Sequence, residues 1–253
     1  MASLFEIVAA GLLGALVGSF LNVVIWRLPR GESVVSPGSR CPSCHRSIAP
    51  YDNLPIVSWL ALRGRCRHCA APISPRYPLL ELLTALAFAA VVAVRGVDSG
   101  LVLELPFVAC LIALAGIDYD HKLLPNRIVY PMAVYGVAAT LLADRDDLVE
   151  NLIAGAGGFL FLFVALVAYP RGMGMGDVKL AGTMGLYLGL SLVPSMLIAF
   201  LAGSVVGLAI IAREGTQARK KAIPFGVFLA LGGIAGVVAG PELIELYEET
   251  FLG

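Results

Sequence analysis

Long apolar runs separated by short polar stretches organise this sequence. The first, Phe5–Trp26, has about the 20 residues a helix needs to cross hydrocarbon. No cleavage-type motif follows a short apolar core, so the run reads as an anchor and not as a removed signal peptide. Seven more runs follow: Pro78–Val94, Leu101–Ile117, Ile128–Ala143, Leu152–Tyr169, Val178–Val193, Met196–Ala212 and Ile223–Ala239. The pattern predicts an all-α integral membrane protein of about eight transmembrane helices. The stretch Arg27–Tyr77 departs from it, being rich in Pro, Arg, Ser and Cys and too short for an ordinary apolar core. The expected organisation is a first transmembrane helix over 1–26, a polar insert over 27–77 and a seven-helix membrane core over 78–253. No internal repeat or low-complexity stretch is evident.

Composition agrees with the runs. Of 253 residues, 58% are hydrophobic and 14% charged, and the mean hydropathy is +0.86. A soluble domain carries about 25% charged residues, so this chain lacks the polar side chains to cover a water-exposed surface. The net charge of zero gives no reason to expect nucleic acid as a partner. Charge does orient the helices. With eight spans, the loops Arg27–Tyr77, Asp118–Arg127, Pro170–Asp177 (with Lys179 just beyond) and Arg213–Ala222 hold 16 of the 18 Lys and Arg residues. Basic residues stay in the cytoplasm, which places these loops inside, with the cluster Arg219-Lys220-Lys221 beside anionic lipid. The expected location is therefore a membrane, in contact with the lipid bilayer, with the cysteine insert on the cytosolic side.

The insert carries two CxxC pairs, Cys41-Pro-Ser-Cys44 and Cys66-Arg-His-Cys69, 21 residues apart. Two such turns complete a closed tetrahedral zinc site of four thiolates, and a domain of this size gains its folding energy from the metal. Two disulfides are the rival reading, disfavoured in a reducing cytoplasm. His45 and His68 adjoin ligands but read as surface residues, and Cys110 as a small core residue.

Acidic groups at membrane depth are costly and therefore functional candidates. Asp118 closes the third run in Ala115-Gly-Ile-Asp118-Tyr-Asp120-His-Lys-Leu-Leu-Pro125-Asn126, and Asp177 opens the sixth in Gly174-Met-Gly176-Asp177-Val-Lys179. Both fall at the cytosolic face on different helices, so they can meet. Two carboxylates in one site supply a general base and a general acid for water attack on a peptide carbonyl. The blander reading makes Asp177 a helix cap and Asp118 a solvated loop residue. Asp120 would point about 200° away from Asp118 on a helix, which leaves Asp118 as the catalytic candidate. Gly174 and Gly176 permit close backbone approach and, with Lys179, are candidate substrate-adjacent residues; Lys179 equally suits a snorkelling anchor. Asn22 reads as an interhelical hydrogen-bonding residue, Glu81 as a partner of Arg76 or a site-lining residue, and Glu104 as interfacial.

Taken in order, these segments resemble the type IV prepilin peptidases, a family of GxGD intramembrane aspartyl proteases. The resemblance runs from Gly18-Ser-Phe-Leu-Asn22-Val-Val-Ile-Trp-Arg27-Leu-Pro29 through both CxxC pairs, Leu54-Pro55-Ile-Val-Ser58-Trp59-Leu, Gly64-Arg-Cys66 and Ile73-Ser-Pro-Arg76-Tyr77-Pro78-Leu-Leu-Glu81. It continues through Ile117-Asp118, Gly174-Met-Gly176-Asp177-Val-Lys179 and Ile223-Pro-Phe225-Gly226. It implies catalytic roles for Asp118 and Asp177. It further implies cleavage of the basic leader of type IV prepilins or pseudopilins just after a Gly, and methylation of the new N-terminal amine by S-adenosylmethionine. Asn126 stands where many members have Asp, and Val227 where a second Pro is frequent. The resemblance transfers no methyl-donor residues. Two other classes remain open on the residues alone. One is a transporter with Asp118 and Asp177 as ion or proton ligands; their place at one face, away from the midplane, argues against it. The other is a membrane thiol oxidoreductase using the CxxC pairs, which requires reactive thiols and not a held metal.

Overall fold

The structure is a computed structural model that describes residues 2–143, 147–170, 173–215 and 223–251. Arg145, Arg171 and the Arg219-Lys220-Lys221 cluster lie outside the described residues. Helices account for nearly all regular structure: α1 (Leu4–Arg27), a short α2 (Val57–Ala61), α3 (Arg76–Arg95), α4 (Leu101–His121), α5 (Asn126–Ala143), α6 (Leu148–Ala168), α7 (Met175–Leu188), α8 (Leu192–Glu214) and α9 (Phe225–Phe251). Leaving aside α2, eight long helices match the eight apolar runs. Among the described residues, six segments are long and apolar enough to cross a bilayer, with α7 and α8 forming one of 40 residues, Met175–Glu214, and α5 not among them. The protein is a multi-pass membrane protein.

The sixth run differs in its limits from the sequence reading. Val178–Val193 is continuously apolar, yet α7 begins at Met175 and stops at Leu188, where Gly189 takes a positive φ of +51° and a 3₁₀ turn leads into α8. At 1.5 Å per residue α7 is about 21 Å long, short of the roughly 30 Å of hydrocarbon. The carboxylate of Glu150 accepts the Leu190 N–H at 2.8 Å and fixes this turn.

The chain packs as two compact units, Met1–Asp98 and Ser99–Gly253. In the first, α1 starts with a capping box in which Glu6 Oε2 accepts the Ser3 N–H at 2.6 Å and Ser3 Oγ accepts the Glu6 N–H at 3.3 Å. Gly14 and Gly18 then let α1 lie against the backbone of α3. A Cβ on Gly14 would stand 2.6 Å from the Thr84 carbonyl oxygen, and one on Gly18 would stand 2.8 Å from the Glu81 Cα. This is the small-xxx-small packing of membrane helices, and the sequence reading missed it. Asn22 joins the same two helices, donating from Nδ2 to the Gly18 and Tyr77 carbonyls at 3.3 and 3.2 Å. Glu81 is buried and its Oε2 accepts the Ile56 N–H at 2.7 Å, just ahead of α2.

In the second unit α7 is the central helix, packed against α4, α5, α6 and α9. Val178, Leu180, Ala181 and Met184 are fully buried. The α6–α7 approach depends on glycine, since a Cβ on Gly155 would meet the Gly182 carbonyl oxygen at 2.9 Å. Phe107 of α4 stacks on Tyr187 of α7 with ring centres 4.3 Å apart. The hydrophobic faces of α4, α7 and α9 thus form the core that carries the polar groups described next.

Candidate functional site

Asp118 continues the buried stripe of α4. Leu111, Leu114 and Ile117 are fully buried, and Asp118, four residues beyond Leu114 on the same face, is only 5% exposed. Tyr119, Asp120 and His121 are exposed, as the helical rotation requires. The helix then stops. Lys122 adopts the left-handed conformation, with φ +53°, and returns its N–H to the Asp118 carbonyl at 2.8 Å. Pro125 follows, a common sequel to such a stop. In the Asp118 carboxyl group, Oδ2 is buried and has no hydrogen-bond partner among the described residues. Gly226, in the first turn of α9, lies against this carboxyl group: a Cβ there would stand 2.9 Å from Oδ2.

Asp177 sits in the first turn of α7 and is 8% exposed. Gly174 is the N-cap residue, in extended conformation, and its N–H donates to Asp177 Oδ2 at 2.9 Å. That is half of a capping box; glycine has no side chain to return the second bond. The helix-cap reading of Asp177 is therefore correct as geometry, and it does not compete with chemistry, because the cap uses one carboxylate oxygen.

Leu124 is the hinge of the arrangement. It is buried between the starts of α7 and α9: a Cβ on Gly176 would stand 3.0 Å from its Cβ, and one on Gly226 would stand 2.9 Å from its Cδ2 and equally 2.9 Å from Asp118 Oδ2. The end of α4 and the starts of α7 and α9 thus meet around one leucine. Asp118 Oδ2 and Leu124 Cδ2 both lie 2.9 Å from the Cβ position of Gly226, and Asp177 follows Gly176, whose Cβ position is 3.0 Å from Leu124 Cβ, so the segments that carry the two carboxylates both lie against Leu124. Asp177 sits in the first turn of α7, whose free N–H groups and partial positive charge offset the cost of burying an acid. Sequence reasoning gave Leu124 and Gly226 no part in the site. The Leu-Pro and Ile-Pro-Phe-Gly segments that contain them were visible, but a packing wedge and a close approach of backbone carry no residue-type signal. Lys179 lies one turn into α7, where Nζ donates to Asn126 Oδ1 at 3.2 Å and sits 5.1 Å from the centre of the Tyr130 ring. Its ammonium is thereby tied to α5. The space beside Gly174 is open: a Cβ there would meet nothing nearer than Asp177 Oδ2, at 3.7 Å.

The polar insert of the first unit contains two similar turns. Arg40-Cys41-Pro-Ser-Cys44-His45-Arg46-Ser47-Ile48-Ala-Pro50 and Arg65-Cys66-Arg-His-Cys69-Ala70-Ala71-Pro72-Ile73-Ser-Pro75 are the same pattern offset by 25 positions. The expectation that the chain holds no repeat is corrected by this match. The hydrogen bonds repeat as well: Cys41 N–H to the Arg46 carbonyl and Cys66 N–H to the Ala71 carbonyl, then His45 N–H to Cys41 and Ala70 N–H to Cys66. His45 and Ala70 both take positive φ, at +58° and +56°. The four Sγ atoms lie within 4.8 Å of one another. An ion bound tetrahedrally by thiolates at about 2.3 Å places its sulfurs about 3.8 Å apart, and Cys41 and Cys69 stand at 3.8 Å. All four are free thiols, and the cluster can hold a metal ion. The amide N–H groups of Cys44 and then Ser43 face the Cys41 sulfur and push its pKa down to about 6, which favours the thiolate a metal needs. Arg67 grips Asp52 with bonds of 2.6 to 3.1 Å and holds its carboxyl below the usual range. Trp59 Nε1 donates to the Ile73 carbonyl at 3.1 Å. These contacts tie the segment between the turns to the second turn.

Known proteins match along the length of the chain. The bacterial peptidase A24 N-terminal domain matches residues 12–95, and the type IV leader peptidase family matches residues 105–212. The prepilin leader peptidase/N-methyltransferase of Aeromonas hydrophila is 35% identical over 95% of this chain and 93% of its own length. The protein of that name from Bacillus subtilis (strain 168) is 35% identical over 95% and 97%. The one from Myxococcus xanthus (strain DK1622) is 42% identical over 80% of this chain and 62% of its own length. No solved structure matches this chain. The identity and coverage of these relatives, on a chain whose two halves match the two domains, show that this protein belongs to the type IV leader peptidase family.

Proposed function

We propose that this protein is a bacterial inner-membrane aspartic endopeptidase that removes the leader of type IV prepilins or pseudopilins after a Gly and methylates the new N-terminal residue. The observation that carries the reading is the meeting of Asp118 and Asp177 around Leu124, on a chain of this family. Asp118 and Asp177 are the catalytic pair. Two carboxylates in one site hold a single proton between them. The ionised one takes a proton from water, whose oxygen attacks the peptide carbonyl, while the protonated one gives its proton to the carbonyl oxygen. As the intermediate collapses, the proton taken from water passes to the leaving amine and a hydroxyl of the intermediate returns a proton to the other carboxylate, which restores the pair. The products are a leader ending in a carboxylate and a mature chain with a free amine. Gly174, exposed beside Asp177 with open space around it, is the place where an extended substrate strand lies along the start of α7, with Gly176 keeping Leu124 close. Lys179, tied to Asn126 and Tyr130, holds α7 to α5 behind that strand.

The metal of the insert is zinc, held by Cys41, Cys44, Cys66 and Cys69 in a closed structural site. S-adenosylmethionine supplies the methyl group. The insert and both aspartates face the cytosol, a placement supported by the concentration of Lys and Arg in the corresponding loops. The transporter and thiol-oxidoreductase readings have less support: Asp177 sits in the first turn of α7, whose partial positive charge disfavours a cation there, and the four thiols converge on one point instead of forming exposed pairs. Incubation of purified protein with a synthetic prepilin peptide tests the proposal. Loss of the leader is the expected result, and an intact peptide under conditions where the protein remains folded would overturn it.

A further inference from the structure

We infer that the segment 51–60, between the two cysteine turns, docks its apolar side chains into the surface of the lipid bilayer that α1 and α3 cross. The first observation is depth. Both helices are long and apolar enough to span a membrane, and a close contact fixes their levels: a Cβ on Gly18 would stand 2.8 Å from the Glu81 Cα. Gly18 lies eight residues before Trp26, where the first apolar run ends. At 1.5 Å per residue that is about 12 Å inside the run. Along α3, Glu81 lies five residues past the start at Arg76, or about 7.5 Å into the helix. Glu81 is thus at membrane depth on either helix. Its Oε2 accepts the Ile56 N–H at 2.7 Å, so Ile56 is held within one side chain's reach of that level.

The second observation is what the segment exposes. Tyr51, Leu54, Val57 and Leu60 are each between 51 and 63% exposed, and Val57 and Leu60, three residues apart in α2, share a face. A cluster of large exposed apolar side chains marks an interaction surface. Leu82 and Leu83, next to Glu81 on α3, are exposed as well, so the cluster adjoins a helix surface that already meets acyl chains. The third observation is how the backbone is satisfied. Where water is scarce, each polar group needs a partner within the protein. Pro55 has no N–H, Ser58 donates its N–H and its hydroxyl to the Leu54 carbonyl, and the Leu60 N–H donates to the Ile56 carbonyl. Ile56 itself takes φ +60°, an outlier for a β-branched residue, and its N–H is met by a buried carboxylate. A turn surrounded by water would leave that N–H to the solvent.

Tryptophan emission from the full chain in nanodiscs tests the inference. The wild type has two tryptophans, Trp26 and Trp59, and Val57→Trp adds a third at an exposed position. Leu60→Trp, also at an exposed position, takes its place should the first variant fail to insert. The added emission should be lost when the nanodisc phospholipids carry bromine on their acyl chains, and it should resist iodide in the water. Quenching by iodide equal to or greater than that by brominated lipid would overturn the inference. A synthetic prepilin separates lipid from substrate: added emission that ignores brominated lipid but shifts with prepilin would make the segment a substrate surface and overturn the lipid reading. The tie to α3 is tested in the same background. Glu81→Ala removes the acceptor for the Ile56 N–H and should reduce quenching by brominated lipid. Glu81→Gln keeps a carbonyl oxygen for that N–H and should retain it. Equal quenching with and without Glu81→Ala would overturn the depth argument.

Discussion

The two glycines before Asp177 should not be equivalent. In Gly176→Ala the new methyl carbon would stand 3.0 Å from Leu124 Cβ, 3.5 Å from its Cδ1 and 3.6 Å from its Cγ. Leu124 cannot retreat, because it is buried and its Cδ2 already closes on Gly226 and, beyond it, Asp118. Overpacking of this kind costs about 1–3 kcal/mol. If the strain falls on the assembled site, kcat/KM drops by about 5- to 160-fold, since each 1.36 kcal/mol is a factor of ten. Gly174→Ala meets nothing nearer than 3.7 Å, and its φ of −101° suits any residue. Losing glycine at an N-cap is a small cost, so Gly174→Ala should fall less than about tenfold. The assay is initial-rate cleavage of a synthetic prepilin by protein in detergent. Leu124→Ala should relieve the clash, so the Gly176→Ala/Leu124→Ala double variant should be less impaired than the two single effects combined. A larger loss in Gly174→Ala than in Gly176→Ala, or strict additivity in the double variant, would refute the packing argument.

Replacing Cys41 or Cys66 by Ser should remove the bound zinc, measured by elemental analysis of purified protein, and should lower methyl transfer more than cleavage; equal and complete loss of both in inserted protein would contradict this division. Asp120→Asn should keep most cleavage activity, because Asp120 is exposed at the end of α4; loss comparable to that of Asp118→Asn would contradict it. Gly14→Leu should destabilise the α1–α3 pair, seen as a lowered thermal midpoint or increased proteolysis, because even a Cβ there would stand 2.6 Å from the Thr84 carbonyl oxygen.

Much of the architecture was legible because membrane helices show themselves in hydropathy. The eight runs and the four cysteines could be read directly, and Asp118 stood out as a charge attached to an apolar run. Hydropathy does not report backbone turns, which is why Val178–Val193 read as one span although Gly189 breaks it. It also says nothing about which faces touch: Gly14 and Gly18 are invisible in an apolar average but decide how α1 meets α3. The repeat in the insert was hidden because only five of its eleven paired positions are identical, Arg40/Arg65, Cys41/Cys66, Cys44/Cys69, Ile48/Ile73 and Pro50/Pro75. In the site, the aspartates were legible by side chain. What surrounds them, the N–H of Gly174, the close approach of Gly226 and the wedge of Leu124, belongs to the backbone and to packing.

The most direct test of the central claim compares the wild type with Asp118→Asn and Asp177→Asn on one synthetic prepilin, read by mass spectrometry. Asparagine keeps the shape of each side chain and, at position 177, a carbonyl oxygen able to accept the Gly174 N–H, so both variants should insert and hold zinc as the wild type does. The wild type should yield a peptide shortened by its leader and, with S-adenosylmethionine added, heavier by one methyl group. Each single variant, and the double variant no more severely, should leave the leader in place, because the pair acts as a unit. A methyl donor and pre-cleaved peptide should still give methylated product with the Asp177 variant. Normal cleavage by either single variant would show that Asp118 and Asp177 are not the catalytic pair.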